Sequence, residues 1–164
     1  MGKITHERLL ELLSYDPLTG IFTRRIGVRG HEAGSVVGTV KDGYVCITLD
    51  KKFYLAHRLA WFYMTGSWPL RQIDHKDRDR SNNRWLNLRL ATNQQNTVNR
   101  DLNSNNTSGS KGVSYDKARG KWRAQISIGG SRTLIGRFDL KSVAEAAYRA
   151  EALKHFGEFA EEIA

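Results

Sequence analysis

Residues 101–110 read Asp-Leu-Asn-Ser-Asn-Asn-Thr-Ser-Gly-Ser and offer a hydrophobic core almost nothing to bury. A stretch of this composition behaves as a polar connection rather than a packed element. It divides the 164-residue chain into two modules, residues 1–100 and residues 111–164, with 101–110 as the linker. Each module lies close to the lower size limit for independent folding.

The chain is 40% hydrophobic and 26% charged, a composition of folded rather than disordered proteins. Its net charge of +9 points to a polyanionic partner, of which nucleic acid is the commonest. The single cysteine, Cys46, can form neither an internal disulfide nor a multi-cysteine zinc knot, so no zinc is expected. Cys46 falls in a strand-like run, residues 44–48, as a small apolar core residue. No apolar run has the length of a signal peptide or a membrane span, so the expectation is a cytoplasmic protein with no membrane partner.

Hydrophobic spacing places a short helix at residues 5–13, a turn at 16–20 and a strand at 21–23. A glycine-containing loop at 27–34 follows, then a hairpin of strands at 43–49 and 53–56, then a helix at 57–65 ended by Gly66. Residues 73–96 read as strand, loop, strand and helix, the helix opened by a Thr92/Gln95 capping box. Three side chains converge in such an arrangement. Asp74 offers an anionic oxygen and Asn96 a neutral carbonyl oxygen to a hard divalent cation, and Mg²⁺ commonly takes only one or two protein ligands. His75 points to the other side of the strand and can take a proton from a water attacking phosphorus. From the residues alone, the acid-rich loop 76–80 is also readable as a solvated turn, and Asn82 and Asn83 as turn formers.

The ordered pattern Asp74-His75, Asn82-Asn83, Asn87-Leu88-Arg89 and Asn96 resembles the HNH nucleases, the ββα-metal group, and especially the homing endonucleases of phage introns. The resemblance extends to Tyr54-Leu55-Ala56-His57-Arg58-Leu59-Ala60-Trp61, to Gly66-Ser67-Trp68-Pro69, and to Tyr15-Asp16-Pro17 with Thr19-Gly20. It therefore spans nearly all of the first 100 residues. It implies that Asp74 and Asn96 are metal ligands and His75 the general base. It implies that Asn87 holds the loop and so orients the histidine. It also implies one Mg²⁺ or Mn²⁺ per active site, and products with a 3′ hydroxyl and a 5′ phosphate. His57 and Arg58 match a recurrent pair of the same subfamily. They either face the scissile phosphate, or His57 caps the preceding strand.

After the linker, strands are expected at residues 111–115, 121–128 and 133–138, then a helix opened by a Ser142/Glu145 capping box and ended by Gly157. Val143, Ala146, Ala147, Ala150, Leu153 and Phe156 would form the face packed on the sheet. Residues 107–137 carry seven Lys or Arg and one acid, Asp116, whereas residues 138–164 carry three basic residues and six acids. The sheet is thus positive and the helix acidic. Strict alternation puts Lys121, Arg123, Gln125 and Ser127 on the outer face, where Arg and Gln can pair with guanine and adenine edges. Lys117, Arg119 and Arg132 would add phosphate contacts.

The segments Ser110-Lys111-Gly112-Val113-Ser114, Gly120-Lys121-Trp122 with Ala124 and Ile126, Leu134 with Gly136 and Phe138-Asp139, and Ala144 with Ala146-Ala147-Tyr148 resemble the plant APETALA/ethylene-response-factor domain. That resemblance implies a DNA-reading sheet and adds Lys111 and Ser114 to its contacts. Where plant members carry arginines on the first strand, this chain has Ser114 and Asp116, so the plant target sequence does not carry over.

With these resemblances the expected fold class is α+β: an N-terminal ββα-metal nuclease domain, then a small three-stranded antiparallel sheet packed on one helix. The expected function is a monomeric, metal-dependent, homing-type DNA endonuclease acting on double-stranded DNA in the host cell of a phage. The alternative is a sequence-specific DNA-binding regulator that keeps the nuclease fold without cutting. RNA binding is less favoured, because no set of surface aromatics offers a stacking platform.

Overall fold

The computed structural model describes residues 3–28, 30–100 and 102–160. They form two compact units, divided between Ala91 and Thr92, and both mix helices with small antiparallel sheets.

In the first unit, α1 (His6–Leu12) starts at Thr5, whose Oγ1 accepts the Arg8 N–H. β1 (Leu13–Asp16), β2 (Ile21–Arg24) and β3 (Val36–Val37) form one sheet in that order. β4 (Thr39–Lys41), β5 (Tyr44–Leu49) and β6 (Lys52–Leu55) form a second. β3 and β4 have no counterpart in the sequence reading, because two or three residues are too few to show an alternation. Asp50 and Lys51 both have positive φ, 46° and 62°, the two-residue turn whose twist suits an antiparallel hairpin. α2 (Ala56–Thr65) ends where Gly66 takes the left-handed conformation. β7 (Gln72–His75) and β8 (Leu88–Ala91) pair antiparallel, with Asp74 opposite Arg89. Asn87 lies one step before that second strand, in a 3-10 turn, Trp85–Asn87. Leu9, Leu13, Phe22 and Leu59 are the largest fully buried side chains and centre this core. Cys46 is buried, as a small apolar residue in β5 should be.

The second unit opens with α3 (Asn93–Val98), which carries the complete Thr92/Gln95 capping box. β9 (Val113–Asp116), β10 (Lys121–Ile128) and β11 (Ser131–Phe138) form an antiparallel sheet in the order β11-β10-β9. α4 (Lys141–Phe156) packs on it and is followed by a 3-10 turn, Gly157–Ala160. Gly112 is required beneath this helix: a Cβ there would stand 2.1 Å from Tyr148.

Four expectations for this unit need correction. The boundary drawn by contacts precedes α3 rather than following it, because Gln94 Nε2 donates to the Ser127 carbonyl and Lys111 Nζ to the Val98 carbonyl. The polar segment is not simply a solvated linker. Ser108 Oγ donates to the Val113 carbonyl, Asn106 Nδ2 to that of Ser110, and Ser110 Oγ to Glu145, so residues 106–110 cap the sheet. Finally, α4 starts at Lys141 with Leu140 as a cap lacking a side-chain hydrogen bond, so Ser142 and Glu145 form no capping box. Glu145 instead pairs with Lys141 and Ser110. The buried face of α4 is Ala144, Tyr148, Ala152 and Phe156; Val143 and Leu153 are exposed. This face is the one that buries both aromatic rings of the helix, Tyr148 and Phe156, among several alanine rows.

Candidate active site and nucleic-acid face

Asp74 and His75 end β7 and are only 4% and 5% exposed. A buried carboxylate needs a partner, and Arg89 supplies one from β8: its Nε stands 2.9 Å from Asp74 Oδ2, and both side chains are buried. His75 lies in an aromatic and amide pocket. The ring of His57 meets it edge to face at 5.0 Å, and Tyr44 lies 6.3 Å from it and 5.5 Å from His57. The Arg80 guanidinium covers the outer side of Tyr44 at 5.1 Å.

His75 Nε2 is 3.4 Å from Asn83 Oδ1. Asn83 Nδ2 donates to the Ser81 carbonyl, which orients the amide so that Oδ1 turns to the ring. An oxygen there can only accept, so Nε2 carries the proton and Nδ1 is the basic nitrogen. Burial lowers the pKa of His75; the Asn83 hydrogen bond and the acids Asp77, Asp74 and Asp79 oppose that shift without cancelling it. The imidazole is therefore neutral, as a proton acceptor must be.

The loop between β7 and β8 is closed by Asn87. Its Oδ1 accepts the Asp77 N–H, and its Nδ2 donates to Asp77 Oδ1 and to the Asn82 carbonyl. The Lys76 N–H donates to the Asn87 carbonyl at 2.9 Å. The β1–β2 turn braces this loop from outside. Tyr15 Oη donates to the Asn83 carbonyl at 2.6 Å, and the Trp85 N–H to the Pro17 carbonyl at 3.0 Å. Gly20 touches the same backbone: a Cβ there would lie 2.4 Å from Arg84 N. The turn read from the sequence as Asp16-Pro17 with Thr19-Gly20 thus supports the loop that carries Asn83.

His57 is 5% exposed, and its Nδ1 has no hydrogen-bond partner. Burial, then His75, then Arg58 depress its pKa to about 3, so this ring is neutral too. It lies in the first turn of α2 and packs on His75. Arg58 donates from Nη2 to the Pro69 carbonyl at 3.2 Å. Asn96 lies on α3 in the second unit, with its backbone N–H bonded to the Thr92 carbonyl.

Among the described residues no three His, Cys, Asp or Glu side chains gather as a metal cage. The donor the first unit offers is the Asp74 carboxylate, a hard oxygen that fits a hard, partly hydrated cation rather than a thiophilic one.

In the second unit, the outer face of the sheet carries Ser114, Asp116, Lys121, Arg123 and Arg137, while Ala124 and Ile126 are buried on the other. Arg123 donates from Nη2 to Ser114 Oγ at 3.2 Å. Arg137 Nε and Arg119 Nη1 reach Asp116 Oδ2 at 3.2 and 3.4 Å. Burial would raise the Asp116 pKa, but the arginines outweigh it and hold the carboxyl below its usual range. Lys121 pairs with Asp139 at 3.0 Å. Lys117, Arg132 and Ser127 are exposed and Gln125 is half-buried. Lys111 is turned inward, onto the Val98 and Arg100 carbonyls. The sequence reading named neither Asn83 nor Arg89 nor Tyr44 as a site residue, and it omitted Arg137 from the basic face.

Residues 54–98 match the family model described as HNH endonuclease. Protein 3.8 of Escherichia phage T7 is 36% identical over 114 residues, covering 67% of this chain and 93% of that protein. The chain belongs to the family of this phage protein and carries an HNH endonuclease domain. A solved structure of DNA binding and cleavage by the HNH homing endonuclease I-HmuI aligns over 96% of this chain and 84% of its own, at 21% identity and a TM-score of 0.46. The matched HNH segment contains His57, Asp74, His75, Asn87 and Asn96.

Proposed function

We propose that the protein is a metal-dependent endonuclease of double-stranded DNA, of the site-preferring homing type. The observation that carries this reading is His75. It is a buried, uncharged imidazole whose tautomer is set by Asn83, next to a buried carboxylate in a domain of the HNH endonuclease family.

His75 Nδ1 takes the proton of the water that attacks phosphorus. Asn83 and the ring of His57 hold the imidazole, and Asn87 closes the loop that carries Asn83. Asp74 would hold the divalent cation, and Arg89 keeps the carboxylate in place. Such a cation stabilises negative charge on the phosphate and on the leaving 3′ oxygen. The basic sheet of the second unit binds the duplex.

The test is incubation of supercoiled plasmid with Mg²⁺, with Mn²⁺ and with EDTA. Nicking is expected with either metal and none with EDTA. His75→Ala lowers the rate by about 10²–10⁴-fold, the usual contribution of a general base, and Asp74→Ala removes metal-dependent nicking. Duplex binding without cleavage in every metal would establish the non-cutting regulator instead.

A further inference from the structure

Arg80 stands exposed in the loop between β7 and β8, with its guanidinium 5.1 Å from the centre of the Tyr44 ring. The β4–β5 turn places that ring. Asp42 and Gly43 have positive φ, 51° and 82°, as a two-residue hairpin turn requires. The turn fixes the register, so Tyr44 lies opposite Lys41 and their side chains share one face. The same turn meets the stem of Arg80: a Cβ on Gly43 would lie 3.7 Å from Arg80 Cδ. The hairpin thus steadies both stem and head of this side chain. Among the described residues the guanidinium has no hydrogen-bond or carboxylate partner. The adjacent acid, Asp79, is engaged elsewhere, its Oδ1 accepting from the Ser81 N–H and hydroxyl. Arg80 is therefore a cation that is ordered but unspent.

Resting on the reading that this protein cuts duplex DNA, we infer that Arg80 is a substrate-positioning residue: it grips a backbone phosphate of the cut strand beside the scissile one, and Tyr44 aims it. The Tyr44 ring is 6.3 Å from His75 and 5.5 Å from His57, so the guanidinium is one ring removed from the base. The phosphate under attack must face His75, which leaves a neighbouring phosphate for Arg80. A guanidinium fork matches phosphate oxygens bidentately. A cation attracted to a ring face spends no N–H on an acceptor, so the fork stays available. Its order before substrate arrives lowers the entropy cost of the contact. Lys41, exposed beside the ring, keeps this edge of the site positive. Gripping the neighbouring phosphate fixes the scissile one against its water and its base, and a misplacement of about 1 Å there can cost about 100-fold in rate.

The experiment maps the plasmid nick made by the full chain in Mg²⁺, then uses duplexes of that sequence carrying one uncharged methylphosphonate at a time. With the unaltered protein, one such substitution next to the cut should slow nicking about 10- to 100-fold, the worth of a charge-assisted hydrogen bond. That measurement is independent of any folding defect. Arg80→Ala should slow nicking of the unmodified duplex by a similar factor, and on that one methylphosphonate duplex it should cause no further loss. Arg80→Lys should recover part of the rate, because the charge survives and the fork does not. Tyr44→Leu should shrink the methylphosphonate effect, whereas Tyr44→Phe, which keeps the ring face, should preserve it. A purely structural role for either residue would slow all duplexes alike and leave that effect unchanged. Full-rate nicking by Arg80→Ala, a loss that multiplies with the methylphosphonate effect at every position, or no sensitive phosphate beside the cut would overturn the inference. If the unaltered protein still nicks plasmid in that event, only this inference falls. A chain that nicks no plasmid in any metal removes the endonuclease reading and this inference together.

Discussion

Two carboxylate–guanidinium contacts lie at the centre of the two chemistries in this protein, and they differ in burial. Asp74–Arg89 is sealed, with side chains 5% and 8% exposed. In Asp116–Arg137 the arginine side chain is 34% exposed, and that of Arg119 on the same oxygen is 61% exposed. In the first, water cannot replace either partner, so the pair fixes the carboxylate beside His75. In the second, the arginines can exchange the carboxylate for another acceptor at little cost. Burial thus separates a contact that builds a site from one that offers a site to a partner.

The sharpest way to break this comparison is to remove one arginine from each region. Arg89→Leu leaves Asp74 buried opposite an apolar residue and should cost about 3–5 kcal/mol of folding stability, the penalty of breaking a buried pair. Arg137→Leu should leave the unfolding midpoint almost unchanged. Denaturant titrations of both variants give the answer. Similar midpoints would mean that Asp74 is reached by water and that the contrast in burial has no energetic content.

The neutral histidines sharpen the comparison from the buried side. The folded-state pKa of His57 is about 3, against an ordinary 6.5. Between those values the unfolded chain binds a proton that the folded chain refuses, so stability rises with pH across this window and falls on acidification. One such group contributes about 1.4 kcal/mol per pH unit, and His75, shifted in the same direction, adds to it. Unfolding followed from pH 7 to pH 4 should show this slope, and His57→Phe, which keeps a ring but no proton, should flatten it. An identical slope in the variant would place the acid sensitivity elsewhere.

The order Asp74-His75, Asn87 was legible because the residues occur at fixed intervals along one segment. Their supports were hidden for a physical reason. Arg89 reaches Asp74 through strand register, which no local pattern reveals, and Asn83 reaches His75 through a loop whose course is set by Asn87 and Gly20. Arg137 was concealed by a bulge. The register shifts between Ala124 and Gln125, and strict alternation from Thr133, opposite buried Ile126, would turn Arg137 toward α4. The extra residue restores it to the outer face, opposite Arg123. In α4 the abundance of alanine allowed several apolar rows, and only the fit of Tyr148 over Gly112 selects one.

The exposed side of the comparison makes the smallest prediction. Lys117 and Arg119 occupy the turn between β9 and β10, and both are exposed. Neither has the strand position needed to aim at a base, so their contribution to DNA binding should be charge alone. Substitution of Lys117 by Ala should weaken binding to all duplexes alike and reduce the slope of log affinity against log salt by about 1. Arg119→Ala should change the slope less, because Asp116 already offsets that charge. Anisotropy titrations at several salt concentrations, on guanine-containing and guanine-free duplexes, measure both quantities. A loss confined to one sequence would show that the turn reads bases, and the division between the strand face and the turn would no longer hold.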